Sequence, residues 1–251
     1  MAPTVEGACV ALNVVERGSG RAVLLVHGIA SDAQALEPIA DALSSQARVI
    51  AYDRRGYGSS GAPEPYHGTT VAEQAEDAAA LLRALDPGPA LVCGDGFGAL
   101  IALDLAKRHR PLVASAVLGN PPLFMFVPEA TEQLAAQRAQ LEEAMRAGGT
   151  EAGVEAWLGG RVDAEALARA KAAHRGFFAD YAGLASWPAS RRELRALDVP
   201  AVVLTGPWSP PHIIAAAEAL AGLLPAAQRA TDGDLVAAAR SLLDQPPRSK
   251  K

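Results

Sequence analysis

An α/β fold built on a mostly parallel sheet is predicted by three features of this sequence. Short, continuously apolar runs such as residues 22–26 and 201–205 alternate with longer amphipathic stretches. That is the rhythm of strands buried on both faces and joined by helices. Near the middle, Cys93-Gly94-Asp95-Gly96-Phe97-Gly98 follows the apolar run 89–92 and opens the amphipathic stretch 99–107. It reads as a sharp strand-to-helix turn. Between residues 121 and 188 strands disappear and helical periodicity takes over. An insertion lying over the sheet as a cap would look like this.

The elements follow in order. Residues 9–16 alternate as a strand does, and Gly18-Ser19-Gly20 turns the chain into the strand 22–26. Ser31 and Gln34 are spaced as a capping box for a helix reaching about residue 43. The strand 48–52 ends in the glycine-rich loop Asp53-Arg54-Arg55-Gly56-Tyr57-Gly58-Ser59-Ser60, followed by a helix over 72–85 and a strand over 112–118. Helices are expected over 129–146, 151–158 and 163–178. The sheet resumes at 201–205, with a helix over 212–224, a short strand at 226–230 and a last helix at 235–243. The domain reading is therefore a core of residues 1–120 and 189–245, a helical cap of 121–188 and a tail of 246–251.

Composition bounds the function. Of 251 residues, half are hydrophobic, and 23 Lys and Arg against 28 Asp and Glu leave a net charge of −5. A core of ordinary size is expected, and neither nucleic acid nor an anionic membrane is the expected partner. The first residues lack a basic stretch followed by an apolar block, and no apolar run approaches a membrane span, so the expected location is cytoplasmic. Cys9 and Cys93 each fall in an expected strand and read as two buried thiols. No phosphate loop, metal cluster or dinucleotide fingerprint is visible, so no cofactor and no metal are expected.

From residue 8 to residue 243 the chain resembles the cap-bearing α/β-hydrolase superfamily of esterases, haloperoxidase-like enzymes, carbon–carbon bond hydrolases and epoxide hydrolases. The resemblance rests on Leu24-Leu25-Val26-His27-Gly28, the 52–60 loop, the Gly94-x-Gly96-x-Gly98 turn and the run 199–206. It implies an α/β-hydrolase fold whose turn after the central strand mounts the nucleophile in a Gly-x-Ser-x-Gly pattern. Here the nucleophile position is Gly96, the acid position Ser209, and the histidine position Asp234, so all three triad positions are replaced. The resemblance also implies an oxyanion hole made by the backbone N–H groups of Ile29 and Phe97.

Each polar candidate carries two readings. His27 supports its loop or transfers a proton; Asp234 caps the last helix or replaces the missing proton-transfer group. Asp95 and Asp53 read as structural, and His174, Asp180 and Tyr181 could face the cleft from the cap. Gly28, Gly96, Phe124, Phe126, Trp157, Phe177, Tyr181 and Trp208 are the expected substrate-binding residues, with the cap's own core as the competing role for its aromatics. The function expected is an enzyme that is not a serine hydrolase: a lyase, cyclase or isomerase acting on an apolar, polyketide-like carbonyl compound. The alternatives are a protein that only binds a small hydrophobic molecule, and a hydrolase using an activated water. The expected partner is that small hydrophobic molecule, and the sequence leaves a homodimer open.

Overall fold

In the computed structural model, residues 4–128, 130–184 and 187–245 are described. The strands are β1 (Thr4–Glu6), β2 (Ala11–Arg17), β3 (Ala22–Val26), β4 (Arg48–Tyr52), β5 (Ala90–Asp95), β6 (Val113–Gly119), β7 (Ala201–Leu204) and β8 (Ala227–Ala230). They form one sheet in the order β1-β2-β4-β3-β5-β6-β7-β8. From β4 to β8 all neighbours pair in parallel, and β2 runs antiparallel to both β1 and β4. This is the α/β-hydrolase architecture.

Consecutive side chains of the apolar strands enter different cores, which is why these runs are continuous rather than alternating. Leu24, Val26, Ile50 and Val92 pack on one face, beneath α2 (Val71–Leu85), α3 (Phe97–Arg108) and α8 (Pro211–Ala221). Val23, Leu25, Val49 and Leu91 pack on the other, beneath α1 (Glu37–Ser44) and α9 (Leu235–Leu243). Each such fully buried side chain contributes roughly 1.5–3 kcal/mol relative to exposure. Strands β3, β4 and β5 are held in the middle by both layers. Their C-terminal ends therefore form a rigid rim on which loops can be placed.

Between β6 and β7 lie only helices and a short 3-10 turn at Phe124–Phe126 among the described residues. They are α4 (Ala130–Leu158), α5 (Ala164–Ala172), α6 (His174–Gly183) and α7 (Arg191–Arg195). A third core of Leu141, Val154, Leu158, Ala170 and Phe177 holds this insertion together, and Ala30 from the loop after β3 belongs to it. No helix among the described residues is long and apolar enough to cross a membrane.

Several expectations need correction. The first strand begins at Ala11, because Cys9 sits at φ 89° in a bend and its side chain is exposed; only Cys93 is buried. A separate strand, β1, precedes it. Ser31 forms no capping box; Asp32 Oδ1 instead accepts from Ala35 N at 3.0 Å, and the helix starts six residues later. The capping boxes that do form belong to Thr70 and Glu73 at the start of α2 and to Ser190 and Glu193 at the start of α7. The non-helical backbone at Gly148 and Gly149 breaks α4 between the expected helices 129–146 and 151–158, in line with expectation, whereas the expected helix over 163–178 divides at Ala173 into α5 and α6. Short α7 was not expected from the sequence. The expected helix start at Glu129 and the tail 246–251 lie outside the described residues.

Candidate active site

The turn after β5 is built by backbone alone. Gly96 adopts φ 55° and ψ −119°, on the left-handed side that a Cβ disfavours. Its N–H donates to Gly119 O at 2.9 Å and its carbonyl accepts from Ala99 N at 3.0 Å, so the conformation is pinned from both sides. A Cβ built on Gly96 would meet nothing within 4 Å. The position thus faces open space, as a mounted nucleophile would. Phe97 is the first residue of α3, where a backbone N–H has no carbonyl partner within the helix and the dipole is positive.

The loop after β3 lies directly against this turn. A Cβ on Gly98 would sit 2.2 Å from Val26 O, and one on Gly28 would sit 3.2 Å from Asp95 O. Only a glycine at 98 allows the two backbones to approach so closely. The Gly28–Ile29 peptide is therefore a neighbour of the Asp95–Phe97 segment. Ile29 is half-buried and borders a cavity.

His27 is fully buried with both ring nitrogens engaged. Nδ1 lies 2.9 Å from Gly28 O, and Nε2 accepts from Arg54 N at 2.9 Å. A carbonyl can only accept and a backbone N–H can only donate, so the ring is neutral with its proton on Nδ1. Burial, reinforced by the neighbouring Arg54 charge, pushes its pKa well below the ordinary histidine value. This is the loop-supporting role of the two expected for His27.

Beside it is a polar cluster that connects the core to the insertion. Arg54 and Asp180 have fully buried side chains, 2.6 Å apart. Asp180 accepts from Arg54 Nη1 and Nη2, from Gln74 Nε2 at 2.6 Å and from Tyr57 Oη at 2.7 Å. Burial alone would lower the Arg54 pKa; the charge and hydrogen bonds of Asp180, together with Tyr57 and Tyr52, outweigh it and hold the guanidinium protonated. The guanidinium also lies over the rings of Tyr57 and Phe97 and donates to Gly28 O at 2.9 Å. Arg54 was not singled out from the sequence. The available signal was Asp180 itself, an acid inside the apolar run Phe177-Phe178-Ala179-Asp180-Tyr181, since a buried carboxylate requires a buried base.

The other mapped positions are occupied differently. Ser209 Oγ accepts from Gly206 N at 2.9 Å and donates to Asn120 Oδ1 at 2.6 Å, while Asn120 Nδ2 donates to Asp95 Oδ1 at 2.9 Å. Burial raises the Asp95 pKa, opposed by the bond from Asn120. Asp234 is exposed and caps α9 by accepting from Ala237 N at 2.9 Å. Asp53 anchors its loop by accepting from Ala33 N, Asn13 Nδ2 and Ser59 N.

The expected substrate-binding aromatics separate into three groups. Phe177 is fully buried, with Trp157, Phe178 and Tyr181 packed around it edge-on or stacked, so these rings form the insertion's core. Phe124 and Phe126, half-buried, pack on the main core; the ring of His212 lies 5.6 Å from that of Phe124, and Arg191 lies over Phe126. Trp208 is 69% exposed and shares a surface groove with Ile39 and the 232–236 segment.

A cavity of about 530 Å³ opens between the loops after β3 and β4 and helix α5. Its wall includes Ile29, Ala30, Tyr57, Tyr66, Leu158 and Ala170, with the paired Asp32 and Arg169 and with His174 at the rim. Its size suits a small organic molecule. It reaches Ile29 but neither Gly96 nor Phe97 is part of its wall. Among the described residues no group of three or more His, Cys, Asp or Glu side chains could hold a metal ion.

Comparison with known proteins agrees with this fold. Residues 21–161 match the family model described as alpha/beta hydrolase fold. The chain is 36% identical over 154 residues to a 2-(acetamidomethylene)succinate hydrolase of Mesorhizobium japonicum, covering 61% of this chain and 52% of that protein. It is 37% identical over 111 residues to the uncharacterized hydrolase YraK of Bacillus subtilis, covering 44% of this chain and 41% of that protein. The matched stretches thus span about half or less of these relatives' length. Among solved structures, a thermophilic esterase from Thermogutta terrifontis is 25% identical with a TM-score of 0.74, over 96% of this chain and 93% of that one. An alpha/beta hydrolase from Sphaerobacter thermophilus, 24% identical, gives the same TM-score over 96% and 99% of the two chains and shares the fold. With more than half of its residues inside the family model, and that match spanning β3 to α4, the chain belongs to the α/β-hydrolase fold family.

Proposed function

We propose that the protein is an enzyme of this family that works without a serine nucleophile. It holds a small apolar carbonyl compound of polyketide-like character above Gly96 and acts on it as a lyase, cyclase or isomerase. The backbone amides of Ile29 and Phe97 take the charge that develops on the carbonyl oxygen. One observation carries this reading: the turn at Gly96 keeps the dihedrals, the neighbouring loop and the open space of a nucleophile site, with no side chain on it. The replaced triad is consistent with it, since Ser209 is bonded to Asn120 and Asp234 caps α9. Preorganised amides alone leave a residual of roughly 10³–10⁴-fold over water when a triad is removed. With His27 locked and neutral, the proton moves within the substrate or through water rather than through that ring.

A second reading is favoured by the names of the relatives, which are hydrolases. In it, water adds to the same polarised carbonyl. The test is to incubate the protein with a panel of apolar lactones and β-keto esters in heavy-oxygen water, beside the Gly96→Val variant and a fluorophosphonate. Turnover that resists the fluorophosphonate, vanishes in Gly96→Val and leaves no heavy oxygen in the product is the expected result. Incorporation of heavy oxygen selects the hydrolytic reading. Covalent labelling of a serine with loss of turnover, or full activity in Gly96→Val, overturns both.

A further inference from the structure

The buried cluster around Arg54 does more than join the insertion to the core. It grips one end of the peptide whose other end is the amide expected to meet the substrate. The carbonyl of Gly28 accepts from Arg54 Nη2 at 2.9 Å and lies 2.9 Å from the protonated Nδ1 of His27. His27 is itself fixed through Nε2 by the backbone N–H of Arg54. Both donors on this carbonyl are thus tied to one residue. The Gly28–Ile29 peptide is trans, so its C=O and N–H point in opposite directions across a rigid plane. With the carbonyl drawn toward Arg54 and His27, the Ile29 N–H is directed away from them. The same peptide runs beside the Asp95 backbone, 3.2 Å from a Cβ built on Gly28.

We infer that Arg54 is a positioning residue: it holds the Gly28 carbonyl, fixes the plane of the Gly28–Ile29 peptide and so aims the Ile29 amide, while Asp180 of α6 ties that aim to docking of the helical insertion. The guanidinium suits this task because its planar fork serves three partners at once, Asp180, Gly28 O and Gln74 Oε1. It meets Asp180 with both terminal nitrogens and keeps a further N–H for Gly28. A lysine can pair with Asp180 as a point charge but lacks that fork. Phe97 contributes on the opposite side, since its ring lies 5.2 Å from the guanidinium carbon while its backbone N–H opens α3. The two amides of the proposed site are therefore referenced to the same buried cation. The consequence for catalysis rests on the function proposed above; the orientation of the peptide does not.

The experiment compares full-length wild type with Arg54→Lys by two measurements. The first is the amide resonance and hydrogen exchange of Ile29 in nitrogen-labelled protein. The second is binding of 4-nitrophenolate, a planar oxyanion used here as an enolate mimic. In Arg54→Lys the Ile29 resonance shifts and its exchange speeds up, while the backbone amides of α6, the helix that carries Asp180, keep their protection. Phenolate affinity falls about tenfold, less than the roughly 10²–10³-fold loss in kcat that removing an oxyanion donor outright causes, because the amide is misaimed rather than removed. If Arg54→Lys does not fold, the Arg54→Met, Asp180→Asn pair, which removes both charges, is read the same way. An Ile29 amide unchanged in a folded variant overturns the inference. An Ile29 amide that moves, in a protein whose wild type binds no phenolate, supports the positioning role and counts against the proposed function instead.

Discussion

Two polar arrangements stand at the same end of the sheet, and they differ in what supplies them. At the turn after β5 the backbone supplies the polar groups: Gly96 has no side chain, while Ser209 is bonded to Asn120 and Asp234 caps a helix. A few residues away Asp180 accepts from three different side chains, with none of its surface exposed. The difference separates chemistry that comes with the fold from chemistry that must be encoded residue by residue. Amides at a helix start and a loop turn come with the backbone itself, and a side chain such as Arg54 sets only the aim of the loop amide. A buried charge has no such independence, because every partner it loses leaves desolvation uncompensated.

That contrast can be broken in order of expected size. Asp180→Ala should be the most damaging, costing about 3–5 kcal/mol in urea unfolding because it leaves the Arg54 charge buried without its partner. A loss below about 1 kcal/mol would mean the cluster is no more than a surface-like pair. Gly96→Ala should cost about 1–2 kcal/mol, all of it from the left-handed backbone, since the added methyl meets no atom within 4 Å. A larger loss would show that the space above the turn closes in solution.

His27 makes the contrast pH-dependent. Its folded pKa lies well below the value of about 6.5 that the unfolded chain provides, so below that pH the unfolded state binds the extra proton. This contribution to stability is complete above pH 6.5 and declines as the pH falls toward the folded pKa, by up to about 1.4 kcal/mol per pH unit. Replacing His27 with glutamine should flatten that limb of a pH-stability profile. An unchanged profile would place the acid sensitivity elsewhere. Smallest is Asp234→Ala, expected to cost about 1 kcal/mol through the lost cap and to leave phenolate binding unaltered. Loss of binding in that variant would return Asp234 to the site.

Much of the molecule was legible before any coordinates. The apolar runs of β3, β4, β5 and β7, the turn at Gly96 and the helical insertion all follow from patterns within short windows, where periodicity and glycine placement act locally. Cys9 misled because alternation continues past the point where a positive φ bends the chain. The Ser31 box misled because Asp32, one residue on, offers the competing acceptor.

What the sequence determined by itself was this scaffold and the absence of a serine at its centre, since both depend on the identity and order of neighbouring residues. Tertiary structure alone decided which polar groups act together. Arg54 and Asp180 are 126 positions apart and meet only because the insertion folds back over the loop after β4. Likewise Phe177 faces the insertion's own core rather than a cavity. No local pattern encodes such partnerships, because the requirement that a buried charge find its counter-charge is met in space, by whichever distant segment packing brings alongside.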